Sequence, residues 1–156
     1  MADEVRLTYI GQDMFLDFAD PPLPHDAIRV LFAGDASSVP TLRAMLASLP
    51  LCARGQVFVE VASEADVEHL TSPGRVTVTW LARDRRSGVP GSGLSCAPGE
   101  AVERAVRAWL AEMYVDADAL AEAEHLIWIG GPEAFAWGLR RDLHDVFSRD
   151  RGATAV

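Results

Sequence analysis

Residues 28–33 read Ile-Arg-Val-Leu-Phe-Ala, an almost unbroken apolar run that ends at Gly34 and leads into the helix-starting stretch Ser38-Val39-Pro40. A strand with one wet face alternates polar and apolar residues, whereas one without alternation needs cover on both faces. This run therefore calls for a sheet with helices on each side, and the rest of the chain supplies them in turn. Ser38 is placed to cap a helix over about 39–49, with Leu42, Leu46 and Leu49 at helical spacing. Residues 56–62 (Gln-Val-Phe-Val-Glu-Val-Ala) read as a second strand, and Ser63-Glu64-Ala65-Asp66 opens a short helix to about Leu70. After the turn Ser72-Pro73-Gly74, residues 75–81 form a third strand rich in β-branched side chains.

Residues 84–97, rich in Gly, Pro and small polar residues, read as a long mobile loop. A helix is expected from Glu100 to about Met113, with Ala101, Ala105, Ala108 and Trp109 toward the core. Residues 125–129 give the fourth strand, and Gly130-Gly131-Pro132 turns into a last helix over about 133–147, striped by Phe135, Leu139, Leu143 and Phe147. Strands alternating with helices imply right-handed crossovers and a parallel sheet. The expected fold is a three-layer α/β domain with a parallel, Rossmann-like sheet of four or five strands. The strand at 28–33 lies centrally, in the order 3-2-1-4 counted from that strand. Residues 28–150 make the domain and 151–156 a tail. Residues 1–27 read as a tether, with a short strand near Val5–Ile10 and an extended stretch at Pro21, Pro22 and Pro24.

At 156 residues the chain is one ordinary domain; with 49 % apolar and 24 % charged residues it reads as soluble and globular. No apolar run approaches a membrane span and no secretory leader is visible, so the expectation is a cytoplasmic protein. A net charge of −9 argues against nucleic acid as a partner, since a phosphate backbone would be repelled. All 14 basic residues are arginine, which excludes lysine Schiff-base chemistry. Cys52 and Cys96 are too far apart for a CxxC pair and too few for a zinc site. The four histidines are scattered, no GxSxG elbow is present, and neither a catalytic residue nor a metal-ligand set is identified.

In a parallel sheet ligands bind beyond the carboxyl ends of the strands. Three segments lie there. The first is Gly34-Asp35-Ala36-Ser37-Ser38, where a glycine allows close approach and the amides and hydroxyls of Ser37 and Ser38 suit an anion, or where the chain simply turns from strand to helix. Asp35 disfavours a pyrophosphate lying directly against it. The second is Gly130-Gly131-Pro132-Glu133, whose two glycines imply close approach of a ligand or of another backbone. The third holds Arg83, Arg85 and Arg86, either a phosphate-binding patch or a solvated loop cluster.

Taken together, these segments resemble the siderophore-interacting proteins, the flavin-dependent ferric-siderophore reductases. Residues 30–42, Val-Leu-Phe-Ala-Gly-Asp-Ala-Ser-Ser-Val-Pro-Thr-Leu, are similar to that family's GDE-x-x-x-P-A-I segment, with Ala36 where the family has Glu. Residues 55–62 resemble its second strand, Val76–Arg83 its V-x-W-L-x-R strand, and Trp128–Glu133 its W-x-A-G-E segment, followed by Arg140 and Arg141. The resemblance covers residues 28–147. It implies the nicotinamide-binding domain of the ferredoxin-reductase type, with electrons passing from NADPH, NADH or ferredoxin through FAD to Fe(III) in a siderophore. The cofactor-binding positions it implies are Gly34, Asp35, Ser37, Ser38, Arg83, Arg85, Gly130, Gly131 and Glu133. Residues 1–27 are too few for the family's flavin barrel, so FAD is expected only through a separate flavin-binding protein. The face that meets the barrel in relatives is expected to be covered by a second subunit, as in a homodimer, or by residues 1–27. Two roles stay open: a nicotinamide-binding module of a ferric-siderophore reductase, or a non-catalytic module that binds siderophore or protein and keeps only the scaffold. A third reading is an unrelated doubly wound domain.

Overall fold

The computed structural model describes residues 7–9, 28–113, 124–132 and 138–142. Five strands, β1 (Leu7–Tyr9), β2 (Ile28–Asp35), β3 (Arg54–Val61), β4 (Arg75–Ala82) and β5 (Glu124–Ile129), form one sheet in the order β1-β5-β2-β3-β4. All four pairings are parallel. β2 is central, as its two-sided apolar run requires, and counting from it recovers the expected 3-2-1-4 order with β1 added outside β5.

The two faces of β2 bury different residues. Val30 and Phe32 pack with Leu42, Leu46, Val57, Val59 and Trp128 under helix α1 (Val39–Ser48). Leu31 and Ala33 pack with Phe58, Val102, Val106, Ile127 and Leu139 under helix α2 (Glu100–Met113) and the helical residues 138–142. Successive residues of a strand point to opposite faces, so an unbroken apolar run serves two layers at once. No helix among the described residues is long and apolar enough to cross a membrane.

The structure corrects four expectations. The segment after β3 is a single 3-10 turn, Glu64–Asp66, and not a helix reaching Leu70. Its capping box is present, with the Asp66 carboxylate accepting from both the backbone N–H and the hydroxyl of Ser63. Val67 then turns to extended backbone, and one turn fixes too few hydrogen bonds to propagate unless packing supports it. The buried stripe of α2 is centred on Val102 and Val106, which leaves Ala108 exposed on its rim. Ser38 precedes α1 but makes no side-chain cap bond; a 3-10 turn, Ala36–Ser38, comes first and is capped by Asp35. The loop at 84–97 has internal order: a bridge joins Ser87 and Ser95, and Cys96 N–H donates to the Arg86 carbonyl. The remainder of the expected last helix, with Phe135 and Phe147, lies outside the described residues.

Candidate functional site

The carboxyl ends of β2, β3, β4 and β5 converge on an open cleft of about 530 Å³, closed on its far side by the start of α2. That volume lies within the range of small-molecule sites. Asp35 enters it from β2, Glu60 from β3, Arg83 from the residue after β4 and Pro132 from the turn after β5; Glu100 and Glu103 line it from α2.

The expected site residues do not all reach the cleft. Asp35 and Arg83 both line the cleft. Ser37 and Ser38 lie beside it, but their hydroxyls donate to Asp35 Oδ1 at 2.6 and 3.2 Å, and the Ser37 N–H donates to the same oxygen at 3.1 Å. The donors read from the sequence as anion ligands are thus taken up by the chain's own carboxylate. Arg85 leaves the cleft: it is largely exposed and pairs with Glu64 at 2.8 Å. Arg86 is exposed and contributes backbone bonds to the loop. Glu133 lies outside the described residues.

Each of these glycines has a structural reason, by packing or by backbone conformation. A Cβ on Gly34 would stand 2.5 Å from Ser38 Oγ and 2.6 Å from Ser38 Cβ, so the bare backbone is what lets Ser38 tuck inward. A Cβ on Gly130 would overlap the Trp128 ring. The Gly130 N–H donates to the Ala33 carbonyl at 2.8 Å, which extends the β5–β2 ladder to the edge of the cleft. Gly131 has φ of 107°, a conformation that favours glycine, and it releases the chain from the sheet. Arg140, on the helical residues 138–142, holds this turn from behind by donating to the Ile129 carbonyl.

The residue that organises the cleft is Glu60, which no motif in the sequence singles out. It is 3 % exposed. Its Oε1 accepts the Gly99 N–H at 2.7 Å, and its Oε2 accepts the N–H groups of Ala101 and Val102 at 3.0 and 3.1 Å. These are the open donors at the start of α2, where the helix dipole also favours a negative charge. Arg83 Nε stands 3.4 Å from Oε1. Among the described residues this is the only ion pair of the Arg83 guanidinium, and Arg83 also lines the cleft. The signal for Glu60 was present in the sequence: a lone carboxylate in Val57-Phe58-Val59-Glu60-Val61 cannot be buried in a sheet core without partners.

The cleft therefore carries four carboxylates, from Asp35, Glu60, Glu100 and Glu103, against one guanidinium. Among the described residues they do not converge into a metal-binding group. The cleft has the position and volume of a small-molecule site, and Arg83 is the one cation in its lining. A diphosphate does not fit against the turn at 35–38 or the start of α2, because carboxylates already fill both sets of amides.

The comparisons with known proteins agree with this architecture. The ferric vibriobactin reductase ViuB of Vibrio cholerae is 36 % identical over 69 residues, which are 44 % of this chain and 26 % of that protein. An uncharacterized protein of Mycobacterium tuberculosis is 44 % identical over 57 residues, 36 % of this chain and 20 % of that protein. The chain thus matches about a quarter or less of the length of these relatives. Among solved structures, the siderophore-interacting protein SipS of Aeromonas hydrophila superposes with a TM-score of 0.54 at 23 % identity, over 76 % of this chain and 40 % of that one. A siderophore utilization protein from T. fusca gives 0.53 at 26 % identity, over 80 % and 41 %. These likenesses assign the fold to the ferredoxin-reductase type of parallel α/β domain. The pattern of the siderophore-interacting proteins matches residues 27–155, and the chain belongs to that family.

Proposed function

We propose that this chain is the NAD(P)H-binding-like module of a siderophore-interacting ferric reductase system, passing electrons to an iron(III) siderophore through a flavin held by a partner domain or protein. The observation that carries the reading is Arg83: it is the one cation lining a cleft at the convergence of four strand ends, and among the described residues its guanidinium pairs only with Glu60. A hydride donor gives up two electrons together and Fe(III) accepts one, so the scheme needs a flavin between them. This chain's part is to hold and orient the nucleotide against that flavin.

The test is a titration of the pure protein with NADH, NADPH and FAD, followed by tryptophan fluorescence and calorimetry. Saturable binding of a nicotinamide nucleotide is expected, with no retained FAD. Arg83→Ala should weaken the nucleotide by about 1.5–3 kcal/mol, roughly ten- to a hundredfold. Absence of any nucleotide binding defeats the reading. The four carboxylates of the cleft favour a second reading, a non-catalytic module that binds a siderophore or protein partner and retains only the scaffold. Its signature is saturable binding of ferric siderophore without binding of either nucleotide.

A further inference from the structure

The two edges of the sheet are finished differently. At one edge β1 covers β5. At the other, β4 pairs with β3 alone, and among the described residues no backbone group bonds its outer side beyond Val76. From this bare edge we infer that the chain pairs with a second copy of itself through β4, as an antiparallel strand pair whose two-fold axis passes by Thr79. The inference is independent of the nucleotide reading. Natural sheets guard an open edge with charge, proline or a bulge. Residues 76–82, Val-Thr-Val-Thr-Trp-Leu-Ala, carry no charge and no proline, and their register against β3 is unbroken.

The backbone fixes which groups the edge offers. Along a strand in a parallel pair, successive residues turn their N–H and C=O toward opposite sides. The Val76 N–H donates to the Pro73 carbonyl at 2.9 Å, and the Val76 carbonyl accepts from Ser72 Oγ at 2.8 Å, so Val76 faces away from β3. Val78 and Trp80, the next alternate residues, face the same way. An antiparallel copy centred on Thr79 sets Val78 opposite Trp80 of the second copy as a hydrogen-bonded pair, made twice by the symmetry. It also sets Thr79 opposite Thr79 of the second copy and a β-branched side chain against an aromatic one, both favoured cross-strand contacts. The side chains of Val78 and Trp80 have surface left to bury: both are half-buried, because the β3–β4 connection supplies one 3-10 turn and no covering helix. An uncharged edge also lets two copies of net charge −9 meet where neither carries charge. Arg75 then faces Arg83 of the second copy, which with the bonds already held by Val76 limits the pairing to residues 77–81. So short a contact buries less than the roughly 1,200 Å² of a standard interface, and the dimer is weak and reversible.

Sedimentation of the full chain across a wide concentration range tests this. A monomer–dimer equilibrium is expected, with a dissociation constant between about 1 µM and 1 mM, tightened by salt as the charge of the two copies is screened. Amide hydrogen exchange reads the register. The Val78 and Trp80 N–H groups should gain protection as concentration rises, while Thr77 and Thr79, turned toward β3, should not change. Val78→Pro removes an outward donor, which an edge strand tolerates, and should weaken the dimer at least about tenfold. Thr79→Lys sets like charges across the axis and should weaken it severalfold, with partial recovery in high salt. The exchange pattern of the unaltered protein needs no substitution and decides the matter if Val78→Pro fails to fold. A monomer at every concentration overturns the inference. So does a dimer that leaves the Val78 and Trp80 amides unchanged, or a folded Val78→Pro protein that dimerises as tightly. Protection of those two amides that is independent of concentration would place a segment of the same chain on the edge, and overturns it too.

Discussion

Two helix starts meet at the carboxyl edge of this sheet, and a carboxylate closes each of them by a different route. At residues 35–38 the acceptor is Asp35, two and three residues from its donors, in a partly exposed turn. At the start of α2 the acceptor is Glu60, which comes from another strand 39 to 42 residues away and is buried. The register places Asp35 and Glu60 directly opposite each other on neighbouring strands. The local closure shapes one turn. The long-range closure ties β3 to α2, pairs with Arg83 and adds to the negative charge of the cleft.

If that contrast is right, removing the two carboxylates has unequal consequences. Glu60→Ala leaves three backbone donors at the start of α2 without their charged acceptor and should cost about 3 kcal/mol. Asp35→Ala removes a turn cap and should cost about 1 kcal/mol. Urea denaturation of the two variants beside the unaltered protein measures both. Equal losses, or a larger loss for Asp35→Ala, break the comparison.

A smaller effect tests whether the 35–38 turn depends on packing more than on its carboxylate. Gly34→Ala forces a Cβ into the Ser38 side chain, which sits 2.5 Å from that point and is itself buried. Overpacking of this kind should cost about 2 kcal/mol, between the two carboxylate variants. A double variant, Gly34→Ala with Ser38→Gly, should recover most of the loss by removing the clashing group. If Gly34→Ala is neutral, the glycine serves ligand approach and not packing.

The same contrast explains what could be read in the sequence. The central position of β2 follows from its unbroken apolar run, since two-sided burial leaves few places in a sheet; α2 was placed from Glu100 to Met113 by periodicity alone. The cleft's position followed from the parallel topology, and Asp35 and Arg83 follow from being next to strand ends. What could not be read is whatever depends on direction across the chain. Arg83 and Arg85 are two residues apart and look equivalent, yet one faces Glu60 and the other Glu64. Ser38 has the composition of a helix cap, but a 3-10 turn displaces it by one turn and gives its hydroxyl to Asp35. Glu60 bonds residues of α2, and no local window contains both partners.

The smallest expected effect comes from a third carboxylate, one that joins helix to helix at the surface. Arg107 of α2 donates to Asp142 on the helical residues 138–142 and also to Glu103 one turn earlier. The Arg107 hydrogen bond and charge hold the Asp142 carboxyl below its ordinary range, with a minor contribution from Arg141. A carboxyl whose folded pKa is depressed contributes stability that is complete above its unfolded pKa, about 3.9, and is lost as pH falls through the folded value. The contribution of Asp142 should therefore be constant from neutral pH down to about pH 5 and fade below about pH 4. Because the pair is exposed, solvent screening keeps the effect small. Thermal melts of the unaltered protein and Asp142→Asn between pH 3 and pH 7 read it as a difference in melting temperature. That difference should be present at pH 7, diminish in acid and shrink in high salt. A difference that persists unchanged at pH 3 would mean that Asp142 acts by packing, and the helix-to-helix contact would then resemble the Ser38–Gly34 contact more than the closure made by Glu60.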